Sequence, residues 1–327
     1  MTKRLVAVTD SPFPNLDPAT QVLSEVNAEL KLAKGTTPED ILAIAREADG
    51  LLVTYAKVSA PLIEQLTRCK IIARFGIGVD SVDIDAATRA GIIVTNVPEY
   101  CEDEVSDHAM ALLLSLIRKI PFANKKTHAA VWSMPAVVPI HRLRGSVLGL
   151  AGLGKIPRLV AAKAQAFGLQ VQAYDPYVSP AAAAKLGVKL VSLPELLGTS
   201  DYISVHAPLT PETDRMFNAD AFRQMKPSAL LVNTARGQLV DVEALVDALD
   251  QKLIAGAALD VLPQEPPPAN SRLFGRDDVI LTPHTSFYSE ESLVELQTKA
   301  AQQVALVLSG KEPRYPVNLK ALQAKKP

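Results

Sequence analysis

The chain has 327 residues, 48% of them hydrophobic and 21% charged, with a formal net charge of −1. That length exceeds one comfortable core and implies two domains, and the composition excludes a disordered chain. A near-neutral charge offers no general attraction to nucleic acid or to an anionic membrane surface.

From the N-terminus, strand-like apolar runs alternate with helical patterns, which is the mark of parallel α/β architecture. The run Leu5–Val8 reads as a first strand and is too short for a signal peptide. Further strands are expected at Gly50–Thr54, Ile71–Arg74 and Ile92–Thr95. Helices are expected near Pro38–Ala48 and Ala60–Leu66, each with a proline in its first turn. Asn96-Val-Pro-Glu then interrupts the chain, and Glu104–Lys119 follows as a long helix with few charges. Such a helix is expected to be buried between domains or subunits. Its apolar stretch Ala109–Ile117 is too short to span a bilayer.

A second set of strands is expected at Ser146–Leu150, Gln170–Tyr174, Tyr202–Val205, Ala229–Val232, Ala255–Leu259 and Val279–Leu281. Six strands make one complete doubly wound sheet. Ser289–Ser309 reads as a closing helix with Leu293, Leu296, Val304 and Leu308 on one stripe, expected to carry the chain back to the first domain. The expected division is therefore 1–100 with 289–327, and 101–288. Cys69 and Cys101 are the only cysteines and lack metal-ligand spacing. A reduced cytoplasmic protein without a metal is expected.

Val147-Leu-Gly-Leu-Ala-Gly-Leu-Gly-Lys-Ile-Pro157 is a strand entering a glycine-rich turn and then a helix. Gly152 permits a tight turn, Gly154 lets a pyrophosphate approach the backbone, and the helix start at Lys155 supplies N–H groups and a positive dipole end. Glycine patterns of this kind often serve sterics alone. Here the next strand ends at Tyr174 and Asp175 follows it, where a carboxylate would accept the adenosine ribose hydroxyls and repel a 2′-phosphate. NAD is therefore expected rather than NADP. Proline replaces the third glycine at Pro157, which a first helical turn tolerates.

Arg236, Glu265 and His284 each fall just past one of the last three predicted strands, where open parallel sheets gather ligands. A guanidinium, a carboxylate and an imidazole suit a 2-oxo acid: a fork for its carboxylate, and an orienter and proton donor for its carbonyl. Singly, each would read as a surface or structural residue.

Beyond these readings, the chain resembles the D-2-hydroxyacid dehydrogenase family over nearly its whole length. The matching stretches are Arg74–Asp83, the Gly152 fingerprint with Tyr174-Asp-Pro, His206–Thr210, Asn233–Gly237, Ala258–Val261 with Glu265-Pro, and Thr282-Pro-His284. It is similar to phosphoglycerate dehydrogenases and to bacterial relatives of the C-terminal-binding-protein corepressors. The resemblance implies an α/β fold of two Rossmann-like domains with parallel sheets, a discontinuous substrate domain and a dinucleotide-binding domain. It implies that Arg236 grips the substrate, that His284 is the acid/base, and that Glu265 holds its imidazole protonated. Ile77 and Gly78 would offer backbone N–H groups to the substrate carboxylate. Asp260 would orient the nicotinamide amide, and Lys155, Ile156, Ala207, Pro208, Thr234 and Ala235 would line the NAD cleft. A homodimer acting on a small 2-oxo or 2-hydroxy acid is expected, with no nucleic acid or membrane partner.

Of the other histidines, His108 reads as structural, His128 and His141 as surface residues, and His206 as a neighbour of the cofactor. Trp132 either packs or, as in some relatives, reaches a neighbouring subunit. Two departures bear on substrate. Where phosphoglycerate dehydrogenases carry Arg-Ser, the matching positions here are Val53-Thr54, followed by Tyr55. Phe287 stands after His284 where small residues are common, and would narrow the pocket. The chain ends soon after the closing helix, so no regulatory domain is expected. Alternatives left open are a nucleotide-sensing scaffold and a dehydrogenase of another small oxyanion such as phosphite; Glu265 argues against formate.

Overall fold

Strands in this protein pair in parallel, because each is followed by a crossover long enough to return the chain to the same end of its sheet. The computed structural model describes residues 3–324; the short basic end at Lys325 and Lys326 lies outside them. The chain divides into two units, one running to Tyr100 and resuming at Ser289, the other spanning Cys101–Tyr288.

The first unit runs β1 (Arg4–Val8), α1 (Asp17–Ser24), β2 (Ala28–Leu32), α2 (Pro38–Ala45), β3 (Gly50–Val53), α3 (Ala60–Ile63), β4 (Ile71–Arg74), α4 (Ile84–Arg89) and β5 (Ile93–Thr95). Its sheet has the order β2-β1-β3-β4-β5. Proline sets the helix starts: Pro38 opens α2 behind Thr37, whose side chain accepts from the Asp40 N–H. The strand β2 escapes the sequence reading because Glu29 and Lys31 alternate with its apolar residues, as suits an edge strand that must not recruit another chain.

In the second unit, α5 (Glu102–Ile117) and α6 (Ile120–His128) lead into β6 (Val147–Ala151), α7 (Lys155–Ala166), β7 (Gln170–Tyr174), α8 (Pro180–Ala184) and β8 (Lys189–Leu190). There follow α9 (Leu193–Thr199), β9 (Tyr202–Val205), α10 (Ala219–Gln224), β10 (Leu230–Asn233), α11 (Val242–Asp250), β11 (Gly256–Leu259) and β12 (Val279–Leu281). The sheet has seven strands, in the order β12-β11-β10-β9-β6-β7-β8. The extra strand is β8, two residues long and too short to leave a periodic signal. The helix α5 buries Ala109, Met110, Leu112 and Leu113 in this unit's own core, with Leu148, Leu150 and Val160. The chain then returns to the first unit through α12 (Glu290–Leu308), capped by Ser289 and Ser292, and ends with α13 (Leu319–Gln323).

The two sheets repeat one device without repeating sequence. In each, the chain reverses its direction of winding between two central strands, β1 and β3 in the first and β6 and β9 in the second. An aspartate just before the later strand accepts an N–H from the first two residues of the earlier one: Asp49 from Leu5 at 2.9 Å, and Asp201 from Val147 at 2.8 Å. Each carboxylate also holds a cation, Arg68 or Lys226. The arrangement locks the register of the strand pair whose far ends form a ligand crevice.

Asn318 fastens the returning segment to the first sheet. Its side-chain oxygen accepts the Val94 N–H at 2.8 Å, and its amide donates to the Ile92 carbonyl at 3.0 Å and to Thr88 at 2.9 Å. The group is buried, so Asn318→Ala leaves backbone donors and acceptors without partners. A loss of roughly 2–4 kcal/mol is expected from the cost of such orphaned groups. Urea unfolding would show it as a lower midpoint at unchanged slope, and a loss well under about 1 kcal/mol would refute this role.

Candidate active site

The glycine-rich turn after β6 lies at the second unit's switch point, opposite the loop after β9. Gly152 has φ 102°, and a Cβ there would meet the backbone of His206 and Ala207 at 3.1 Å. Only glycine permits both the conformation and the approach. Gly154 caps α7 without any side-chain bond, and a Cβ placed on it would meet nothing within 4 Å, so the mouth of the helix is open. Pro157 is accommodated in the first turn of an unbroken α7. Asp175 accepts the Leu153 N–H and the Tyr177 N–H, both at 2.8 Å, which sets its carboxylate against the glycine-rich turn. The buried Thr234 hydroxyl has no hydrogen-bond partner among the described residues. An open helix N-terminus, an adjacent carboxylate and an orphaned buried hydroxyl fit a dinucleotide.

The loops after β10, β11 and β12 stand side by side because those strands are neighbours. Arg236 sits in the first. Asn233 shapes that turn by donating to the Arg236 carbonyl at 2.8 Å and accepting the Ala235 N–H at 3.0 Å. The Arg236 guanidinium donates to the Ala235 carbonyl at 2.7 Å. Gly237 packs so tightly on the Leu262–Pro263 backbone that a Cβ would overlap it, which joins the Arg236 turn to the loop of Glu265. Glu265 accepts from His284 Nδ1 at 2.7 Å and from the Leu262 N–H at 2.8 Å. Burial raises the Glu265 carboxyl, but the bond and charge of His284 outweigh it, leaving the group below its ordinary value. Phe287 meets the His284 ring edge to face, with centroids 6.1 Å apart.

Asp260, only 2% exposed, organises the third loop. Its carboxylate accepts from the Thr282 hydroxyl at 2.6 Å and from the Thr285 and Ser286 N–H groups at 2.9 Å. Its carbonyl accepts the His284 N–H at 2.8 Å. Burial alone would raise its pKa; these donors more than reverse that, so the buried carboxyl stays ionised. His284 itself takes φ 53°, an uncommon conformation for a residue with a side chain, and these bonds hold it there.

In the first unit, Ile77 and Gly78 lie in the loop after β4, where Asn96 donates to the Ile77 carbonyl at 2.7 Å. Val53 is wholly buried in β3; the residues that leave the strand are Thr54 and Tyr55, the latter 46% exposed. Asp10, after β1, accepts the N–H groups of Thr54, Tyr55 and Ala56 at 3.2, 2.7 and 3.2 Å. That brace spans the first unit's switch point.

Residues 110–286 match the model of the D-isomer-specific 2-hydroxyacid dehydrogenase NAD-binding domain. The chain belongs to the D-isomer-specific 2-hydroxyacid dehydrogenase family. Its second unit is an NAD-binding domain, and NAD is the cofactor. A Synechocystis D-3-phosphoglycerate dehydrogenase is 39% identical over 302 residues, covering 92% of this chain and 54% of that protein. The Methanocaldococcus jannaschii D-3-phosphoglycerate dehydrogenase is 39% identical over 316 residues, 96% of this chain and 59% of its own length. The chain thus spans a little over half the length of these curated relatives. Among solved structures, a Thermus thermophilus protein superposes with TM-score 0.88 at 34% identity, covering 96% of this chain and 99% of the other. The Aquifex aeolicus D-lactate dehydrogenase, solved with NAD and lactic acid, gives 0.85 at 26% identity, with 98% of each chain covered. No helix among the described residues is long and apolar enough to cross a membrane.

Within this family member, the partner of one residue and the role of another escaped the sequence reading. His108, read there as structural, reaches Thr282 at 3.0 Å and lies 3.6 Å from Asp260. Asp10, which the sequence did not single out, braces the loop after β3, and Asp260, expected at the cofactor, also braces the loop after β12, through bonds that local periodicity does not encode. His206 bonds Ser204 at 2.8 Å through Nε2, and burial pushes its imidazole down from 6.5 to about 4. A depressed histidine contributes stability that is present above its unfolded value and is lost as pH falls through the folded one. Stability should therefore decline between about pH 6.5 and about 4, this residue adding a slope of at most ~1.4 kcal/mol per pH unit. Chemical unfolding across that window should show a shallower decline for His206→Gln; equal slopes would remove His206 as the cause.

Proposed function

We propose that the protein is an NAD-dependent dehydrogenase that interconverts a small unphosphorylated 2-oxo acid and its D-2-hydroxy acid. The observation that carries this reading is the Glu265–His284 pair at 2.7 Å, set past the strands of an NAD-binding sheet. Arg236, on the adjoining loop, grips the substrate carboxylate as a fork. Ile77 and Gly78 add backbone N–H groups. With Nδ1 bound to Glu265, Nε2 is the nitrogen that passes a proton to the substrate oxygen. Glu265 orients the ring through that bond. Gly152, Gly154, Lys155 and Ile156 receive the pyrophosphate, Asp175 the ribose hydroxyls, and Ala207, Pro208, Thr234, Ala235 and Asp260 flank the remainder of NAD. The cofactor, when bound, supplies or accepts the hydride.

The absence of a phosphate site rests on the loop after β3. It presents Thr54 and Tyr55 rather than a guanidinium, and Asp10 already takes its N–H groups. A phosphate left without such donors would lose several kcal/mol, roughly the cost of an unpaired desolvated ion. One observation favours a phosphorylated substrate instead: the Arg74 guanidinium fills the space a Cβ at Gly76 would occupy, beside Ile77.

Steady-state kinetics with glyoxylate, hydroxypyruvate and phosphohydroxypyruvate, each with NADH and NADPH, tests the reading. NADH and the unphosphorylated acids should give the higher kcat/KM, and His284→Asn should cut kcat by ~10²–10⁴ while NADH still binds. Preference for phosphohydroxypyruvate would assign Arg74 to a phosphate. Binding of NADH without turnover of any 2-oxo acid would favour the scaffold reading.

A homodimer belongs to the same proposal. The segment after α5 exposes Ile120, Trp132, Met134 and Val138, with Trp132 89% exposed. It also borders a cavity of about 1020 Å³ reaching Tyr202, Leu230 and Ile280 at the sheet's opposite end. Exposed apolar surface of this kind usually marks an interface. Light scattering should give twice the chain mass, and Trp132→Glu with Met134→Glu should yield monomers; an unchanged mass in both would place the interface elsewhere.

A further inference from the structure

The helix α5 brings a second histidine to the loop that carries the first. His108 Nε2 lies 3.0 Å from the Thr282 hydroxyl, which in turn lies 2.6 Å from the Asp260 carboxylate. A hydroxyl has one proton to give. Asp260 is ionised and accepts from the Thr285 and Ser286 N–H groups as well, so the Thr282 proton must point to it. His108 is then the donor, presenting Nε2–H to the Thr282 oxygen. The chain His108 to Thr282 to Asp260 ends on the turn that holds His284 at φ 53°.

From this we infer that His108 is a positioning residue for the reaction: it ties the His284 turn to α5 and so holds the imidazole in its working orientation. The inference rests on the reading of His284 as the acid/base. Asp260 alone secures the turn only to the neighbouring strand end, which is part of the same loop system. α5 is different, since Ala109 and Met110, which follow His108 in sequence, are buried in the core with α7 and β6. A bond to α5 therefore refers the turn to a helix anchored in the core. Angular precision matters here, because a proton donor displaced by about 1 Å can lose roughly 10²-fold in rate. The bonds of His108 run to Thr282 and towards Asp260, so its effect on His284 travels through the turn these residues hold.

Three variants test this. His108→Leu should lower kcat about 10- to 100-fold with little change in the KM for the 2-oxo acid or in NADH affinity. His108→Gln, whose amide nitrogen can still donate to Thr282, should recover most of the loss. Thr282→Val breaks the same link from the other side, so adding His108→Leu to it should cost nothing further. The ring-proton resonances of His284, assigned by comparison with His284→Asn, should shift in His108→Leu and return in His108→Gln. Full kcat with unmoved His284 resonances in His108→Leu, or additive losses in the double variant, would overturn the inference. If the wild type reduces no 2-oxo acid, the dehydrogenase reading fails, and the resonances alone still decide whether His108 positions His284.

Discussion

Much of the loop arrangement at one end of the second unit's sheet hangs on one buried carboxylate. Asp260 sits at the end of β11 with almost no exposure, and an ion there costs several kcal/mol of lost hydration unless donors surround it. The donors it finds are the Thr282 hydroxyl and the Thr285 and Ser286 N–H groups. Satisfying the charge thus forces the following loop into one shape. That shape includes a left-handed residue, and the residue is His284. The strain at His284 and the burial of Asp260 are each unfavourable alone, and each is sustained by the same set of bonds.

The same economy recurs at other strand ends. Asp10 gathers the N–H groups of Thr54–Ala56 in the first unit, and Asp175 holds Leu153 of the glycine-rich turn in the second. At the opposite ends of the sheets, Asp49 and Asp201 fix the registers of the two central strand pairs. A carboxylate can accept several N–H bonds at once, which makes it an efficient organiser of backbone that has left a sheet ladder. The two units are therefore built alike in physics, although their sequences do not repeat.

Glycine does the complementary work. Gly152 lets the turn after β6 touch the backbone after β9, and Gly237 lets the Arg236 turn close on the Leu262–Pro263 backbone. Where carboxylates draw loops together, these positions remove the side chain that would hold them apart.

The parallel α/β class was legible in the sequence because apolar runs and helical periods alternate, and burial imposes those periods locally. The glycine-rich turn was legible for the same reason: its constraint lies within a few residues of backbone. The sequence also set Arg236, Glu265 and His284 just past strands, and strand order then made those loops neighbours. Edge strand β2 and the short β8 were missed, because charged alternation and two-residue length leave little periodic trace. The burial of Val53, the position matched to an arginine of phosphoglycerate dehydrogenases, is visible only in the fold. His108 was read as structural because a helical pattern assigns a face, not a partner. Its partner Thr282 lies 174 residues away. Such a bond exists only once the core has brought α5 beside β12, and no local pattern of residues encodes that meeting.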